Sequence, residues 1–165
     1  MDERIKEAFH TIYEGEAKAL LRLSVFARKA EQEEIPQIAQ LFRVIAFSEE
    51  IHGERALRML REVQDTDTNL KECFQSETHI AEVAYDHLIE LAEAIGDNTA
   101  STLFSQSRDV EEGHAKLYKN AINHVIGERE TTYYVCKVCG FVSDGVSPAS
   151  CPVCSAPKDQ FVEFR

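Results

Sequence analysis

The sequence predicts a mainly α-helical protein: a bundle of four long helices followed by a small module built on cysteines. Residues 1–95 contain one proline and two glycines, and apolar residues recur there at spacings of three and four, as amphipathic helices require. Four of the five cysteines fall between Cys136 and Cys154. At 165 residues the chain can bury one core of ordinary domain size, with a little left for a second module.

The first stripe reads Ile5, Ala8, Phe9, Ile12, Glu16, Leu20, Leu23, Ala27 and fades near Ala30, before an acidic turn from Glu31 to Glu34. Pro36, acceptable in a first helical turn, opens a second stripe of Ile38, Leu41, Ile45, Glu49, His52, Ala56, Met59 and Val63. Helix-capping residue types between Asp65 and Thr68 end it. A third stripe runs Leu70, Cys73, Glu77, Ala84, Leu88, Leu91, Ile95 and closes at Gly96-Asp97-Asn98. The fourth comprises Leu103, Ser107, Glu111, His114, Leu117, Ala121 and Val125, with Gly127 as its stop. Glu128 to Thr132 reads as a polar linker, giving domains at 1–127 and 133–165, the second of small strands and turns.

Net charge is −11, and residues 133–165 carry three basic and three acidic side chains, so the whole excess lies in residues 1–132. Such a surface repels nucleic acid. No run of ~18 apolar residues could cross a bilayer, and no signal-like start is present. A soluble, cytoplasmic protein with no membrane partner is expected.

Each stripe is interrupted near its middle by a glutamate on the face that should be buried: Glu16, Glu49, Glu77 and Glu111. Histidine follows two of them at i+3, giving Glu49-x-x-His52 and Glu111-x-x-His114, each pair on one helix face. A single Glu-x-x-His is commonly surface decoration. Here it occurs twice, on apolar stripes, and a solitary glutamate precedes each copy by 33 and 34 residues, so the first helix pair repeats in the second. Unpaired buried carboxylates would cost more than a domain's stability margin, and two divalent cations would neutralise four of them with both histidines uncharged. This is the ligand set of ferritin-like di-iron and di-manganese proteins, predicting a ferritin-like four-helix bundle. A long crossover between helices two and three belongs to that architecture. The stretch from Val63 to Leu70 is short for one, so the second helix should stop early. His10, His79, His87 and His124 lie off the glutamate faces or far from their centre and read as structural.

Cys136-Lys-Val-Cys139-Gly and Cys151-Pro-Val-Cys154 are two CxxC knuckles separated by eleven residues. Together they can hold one tetrahedral ion, and so short a module needs such a staple to fold. Four sulfurs accept either zinc or iron. Iron is favoured by its company, because a one-electron relay suits a neighbouring redox site. Cys73 reads as a small buried hydrophobe.

These features resemble the rubrerythrins over nearly the whole chain: YEGEAKALLRLSVFARKA around Glu16, FSEEIHGERA around Glu49 and His52, VEEGHAKLY around Glu111 and His114, then YVCKVCG and CPVCSAPKDQFVEF. The resemblance implies a non-haem iron peroxidase that reduces hydrogen peroxide to water. Its cofactors would be two iron ions in the carboxylate site and one iron in a rubredoxin-like four-cysteine domain, with zinc possible there. Glu16 and Glu77 would bridge, with Glu49, His52, Glu111 and His114 terminal. Electrons would come from an NADH-linked reductase or a rubredoxin-type donor, and a head-to-tail homodimer is implied. Tyr85 matches the family's site tyrosine and could hydrogen-bond a ligand carboxylate. Three positions depart from the pattern: Ile80 replaces a further ligand glutamate, Leu23 a tyrosine, and Ser155 the glycine after the second knuckle. Ile80 leaves the ligand count of an ordinary ferritin-type centre, so a ferroxidase or iron-handling protein is the first alternative. A non-enzymatic protein with zinc in both sites is the second.

Overall fold

The computed structural model describes residues 1–123 and 131–165. It is mainly helical with a small C-terminal sheet, as the periodicity predicts. Helix α1 spans Glu3–Gln32 and α2 Pro36–Leu60. Asp2 caps α1 by accepting from the Arg4 backbone N–H, and Pro36 opens α2 at a position with no amide to lose. Helix α3 spans Thr66–His79 under the Asp65 cap, a π-helical turn occupies Ile80–Tyr85, and α4 continues over Asp86–Ile95. Gly96 ends α4 in the left-handed conformation, φ 77°. Helix α5, Asn98–Ile122, starts on the Asp97 cap. The expected stop at Gly127, most of the linker, His124 and Val125 lie outside the described residues.

The second helix stops early, as the short Val63–Leu70 stretch leads one to expect: it ends at Leu60, short of the stripe's last residue Val63, because Arg61 turns left-handed at φ 60° and its N–H and that of Glu62 close on the Arg58 and Leu57 carbonyls. One expectation needs correction. The third stripe is not one continuous α-helix. The wider π turn after Glu77 rotates the helix beyond it, so Ala81 is buried while Ala84 is exposed.

The chain divides into two compact units, Met1–Gln64 and Asp65–Arg165, so the division in space falls before α3. In the first, α1 packs on α2 through small residues: Ala27, Ala30, Ala39, Ala46, Gly53 and Ala56 are all buried. In the second, α3, the π turn and α4 pack along α5. The same unit carries an antiparallel sheet of order β2-β1-β3, with β1 Tyr133–Cys136, β2 Val142–Asp144 and β3 Phe161–Phe164. Tyr134 pairs with Ser143 on one side and Glu163 on the other. Its core is Cys136, Cys151 and Ala156, with Phe141, Val153 and Phe161 packed around them. Among the described residues, no helix is long and apolar enough to cross a membrane.

Candidate metal centres

The glutamates and histidines of the helical stripes assemble as two triads, one per unit. Glu16, Glu49 and His52 form the first and Glu77, Glu111 and His114 the second, the ligand atoms of each lying within 4.8 Å of one another. In the first, His52 Nδ1 is 3.0 Å from Glu49 Oε2, one helical turn away, and 3.7 Å from Glu16 Oε1 on α1. Gly53 permits that approach: a Cβ there would meet Glu16 Cβ at 3.6 Å. In the second, His114 Nδ1 lies 2.9 Å from Glu111 Oε2.

The electrostatics of both triads are those of crowded carboxylates. Burial raises the Glu16 carboxyl above its usual range, a hydrogen bond with Glu49 and the Glu49 charge add to this, and His52 opposes it. Burial likewise pushes Glu77 up to about 6, reinforced by its hydrogen bond to Glu111 and the Glu111 charge, with His114 opposing. Two carboxylates this close must share a proton or a cation. Oxygen and imidazole donors converging at one point fit a divalent ion, and both triads together supply four carboxylates for two of them.

The four cysteines converge, their sulfurs within 4.8 Å of one another. Sulfurs at ~2.3 Å from a central ion define a tetrahedron with edges of about 3.8 Å. The Cys136–Cys154 and Cys139–Cys151 separations, 3.7 and 3.5 Å, fit such an ion. The two knuckles share one backbone design: Gly140 N–H donates to the Cys136 carbonyl and Ser155 N–H to the Cys151 carbonyl, both at 2.9 Å. Gly140 has φ 86° and Ser155 φ 60°, so serine occupies the left-handed position that glycine takes in the first knuckle. Burial raises the Cys136 thiol, but backbone N–H groups of Cys139 and Val138 outweigh it and hold the group below its ordinary value; burial leaves Cys139 well above.

Ile80 and Tyr85 are the two ends of the π turn. Tyr85 places its ring on Phe104, centroids 6.5 Å apart, and makes no hydrogen bond to a described carboxylate. Ile80, where the resemblance leads one to look for a glutamate, opens the π turn and is half-buried. His79 and His87 are exposed, and His10 pairs with Glu62 at 3.4 Å. The residue missed is Tyr118. It lines a cleft of about 510 Å³ with Glu77, His114, Tyr133 and Val142. Burial raises its hydroxyl above the ordinary tyrosine range, with neighbouring Cys73 and the Glu77 carboxylate adding to the shift. Its position four residues after His114, on the same helix face, was the available signal.

Comparison with known proteins agrees with this arrangement. The rubrerythrin family model matches residues 7–122, and the model of the rubrerythrin rubredoxin-like domain matches residues 134–162. Rubrerythrin-2 of Clostridium acetobutylicum is 28% identical, covering 92% of this chain and 92% of that protein. Rubrerythrin of Nitratidesulfovibrio vulgaris is 25% identical over 177 residues, covering 96% of this chain and 93% of the relative. A solved structure described as mixed-valent nigerythrin superposes with TM-score 0.59 at 26% identity, covering 96% of this chain and 86% of its own. Another with the same TM-score is described as fully reduced, all-ferrous nigerythrin. With a ferritin-like segment and a rubredoxin-like segment matched in order along its length, the chain belongs to the rubrerythrin family.

Proposed function

We propose that this protein is a di-iron peroxidase that reduces hydrogen peroxide to water, with electrons relayed by iron in the four-cysteine site. The observation that carries it is the coexistence of two Glu-Glu-His triads with a tetrahedral four-sulfur site whose first knuckle lies against α5 one residue from a triad ligand. A cation-handling protein needs only the triads. A one-electron sulfur site beside the second triad would give the centre a supply of reducing equivalents.

Glu16, Glu49 and His52 would hold one half of a two-iron centre, and Glu77, Glu111 and His114 the other. Iron bound there supplies two electrons and the positive charge that stabilises oxygen anions as the O–O bond breaks. The reaction balances as one peroxide, two protons and two electrons giving two waters. The carboxylates set the charge: four negative groups neutralise two divalent ions and leave the histidines free to bind as neutral imidazoles. Each Glu-x-x-His pair would hold one ion, and Glu16 and Glu77 would each add a further carboxylate to the triad they belong to. Tyr118, protonated and beside Glu77, can donate a hydrogen bond into the cleft. In the four-cysteine site, the N–H groups aimed at Cys136 stabilise thiolate charge and so the binding of iron.

Electrons would enter from a reductase or rubredoxin-type donor, with NADH as the ultimate source. The test is steady-state peroxide consumption by the full chain with such a donor. Sustained turnover is expected. Oxidation of ferrous iron without donor-linked peroxide turnover would instead identify a ferroxidase, and a colourless, zinc-loaded protein would identify the non-enzymatic alternative.

A further inference from the structure

The π turn decides which way Glu77 faces. An α-helix advances about 100° per residue, and a π turn acts as an α-helix with one extra residue, so the stretches on its two sides differ in phase by about that angle from one continuous helix. The Ile80 N–H closes on the Glu77 and Ser76 carbonyls, so regular geometry runs through Glu77 and the extra residue lies beyond it. Moving that residue along the helix exchanges one backbone hydrogen bond for another. Were it to slip to the N-terminal side of Glu77, the carboxylate would take the phase of α4 and turn away from Glu111 by about 100°.

Three successive turns of α5 hold the register. Phe104 takes the ring of Tyr85, the last residue of the π turn, with centroids 6.5 Å apart. Arg108, one turn further on, reaches Asp86, the first residue of α4, with Nη1 3.4 Å from Oδ1. Glu111, the next turn, shares a hydrogen bond with Glu77. The ligand before the π turn and the two residues that end it are thus all read by one face of one helix.

Arg108 is placed for this contact rather than for solvent. Its Nε is buried and has no hydrogen-bond partner among the described residues, while Nη2 lies 3.1 Å from Asp109 Oδ1. Asp86 is 54% exposed, so the pair adds little to global stability. Its effect is local: it fixes where α4 begins.

We propose that Arg108 is a positioning residue for the second triad. By tying Asp86 to α5 it keeps the extra residue of the π turn C-terminal to Glu77, and so keeps Glu77 turned toward Glu111 and His114. Arg108 acts through the backbone, since Asp86 and Asp109 balance its charge. The proposal rests on the reading that Glu77, Glu111 and His114 bind a metal ion.

The experiment compares the full chain with Asp86→Asn, Arg108→Gln, Arg108→Lys and Asp109→Asn. Three quantities are measured: ferrous ion bound anaerobically beyond the four-cysteine site, thermal unfolding, and hydrogen exchange of residues 77–86 before that iron is added. Asp86→Asn and Arg108→Gln should weaken ferrous affinity by about tenfold or more and speed exchange across 77–86. Unfolding temperatures should stay within about 4 °C of wild type. Arg108→Lys, which keeps a cation able to reach Asp86, should recover most of the affinity, and Asp109→Asn, which leaves the tie to α4 intact, should bind like wild type. Wild-type affinity and exchange in Asp86→Asn would overturn the proposal. So would an equal loss in Asp109→Asn, which would assign the effect to charge, or an Arg108→Lys no tighter than Arg108→Gln. If the wild type binds no ferrous ion beyond the four-cysteine site, the metal reading fails, and unchanged exchange in Asp86→Asn would then separately overturn the tie.

Discussion

Gly140, which follows the second cysteine of the first knuckle, lies against Val110, which precedes the ligand Glu111: a Cβ at position 140 would sit 3.7 Å from Val110 Cγ1. The four-cysteine site and the second triad are therefore linked within one chain by two adjoining backbone positions. Val110 is buried at 4% exposure, and Val110→Ala would loosen this contact at a cost of about 1 kcal/mol. Metal content should be unchanged, while peroxide-driven oxidation of the four-cysteine iron should slow, as read by stopped-flow absorbance. Equal rates in wild type and variant would remove the contact from the electron path.

Ser155 adopts φ 60° where the equivalent knuckle position has glycine. Left-handed backbone costs a non-glycine residue on the order of 1 kcal/mol, partly offset by the greater freedom glycine brings to the unfolded chain. Ser155→Gly should stabilise the C-terminal module by about 0.5 kcal/mol and slow metal loss to a chelator. Faster loss would mean that the serine side chain contributes something the backbone does not reveal.

Glu77 gives metal uptake a defined pH dependence. With its carboxyl pushed up to about 6, the metal-free second triad holds a proton below that pH and must release it to bind a cation. Release of this proton should weaken affinity by about tenfold per unit below about pH 6, a component read as the difference between wild type and Glu77→Gln titrated at about pH 5 and about pH 7. The sign reverses for stability without metal. The folded state holds more protons than the unfolded chain between the ordinary value of 4.5 and about 6, so this group's contribution falls as pH rises through that window. Glu77→Gln should abolish both effects.

Much of this was legible in the sequence because the ligands obey helical spacing. Glu49 with His52, Glu111 with His114, and the two CxxC knuckles are local patterns that geometry must honour, and the structure brings each set to one point. The features that stayed hidden depend on backbone choices with weak sequence signatures. Nothing in Ile80-Ala81-Glu82 announces a π turn, yet that turn exchanges Ala84 for Ala81 on the buried face. Arg61 is not a typical left-handed cap, so the apolar stripe of α2 runs on to Val63, three residues past the end of the helix. The resemblance points to Tyr85, whose ring lies on Phe104, while Tyr118 escapes notice because its partners, Cys73 and Glu77, come from a different helix.

Gly53 illustrates a constraint that only packing exposes. A methyl there meets Glu16 Cβ at 3.6 Å, an ordinary contact, so Gly53→Ala should be tolerated. Gly53→Leu has no such room and should push α1 away from α2, at a cost of about 1–3 kcal/mol, and weaken ferrous binding at Glu16, Glu49 and His52. Calorimetry and anaerobic metal titration would check this, and unchanged affinity in the leucine variant would show that the triad does not depend on close helix approach.

Electron flow from the four-sulfur site to the carboxylate centre is tested most directly by mixing the anaerobically reduced, iron-loaded full chain with limiting hydrogen peroxide and following the visible absorbance of the ferric four-cysteine site. In the wild type the ferric band should rise as peroxide is consumed. In Glu111→Ala, with the second triad broken and the cysteines untouched, it should rise at least tenfold more slowly. An equally rapid rise in Glu111→Ala would mean that peroxide oxidises the four-cysteine iron without the carboxylate centre, contradicting the account.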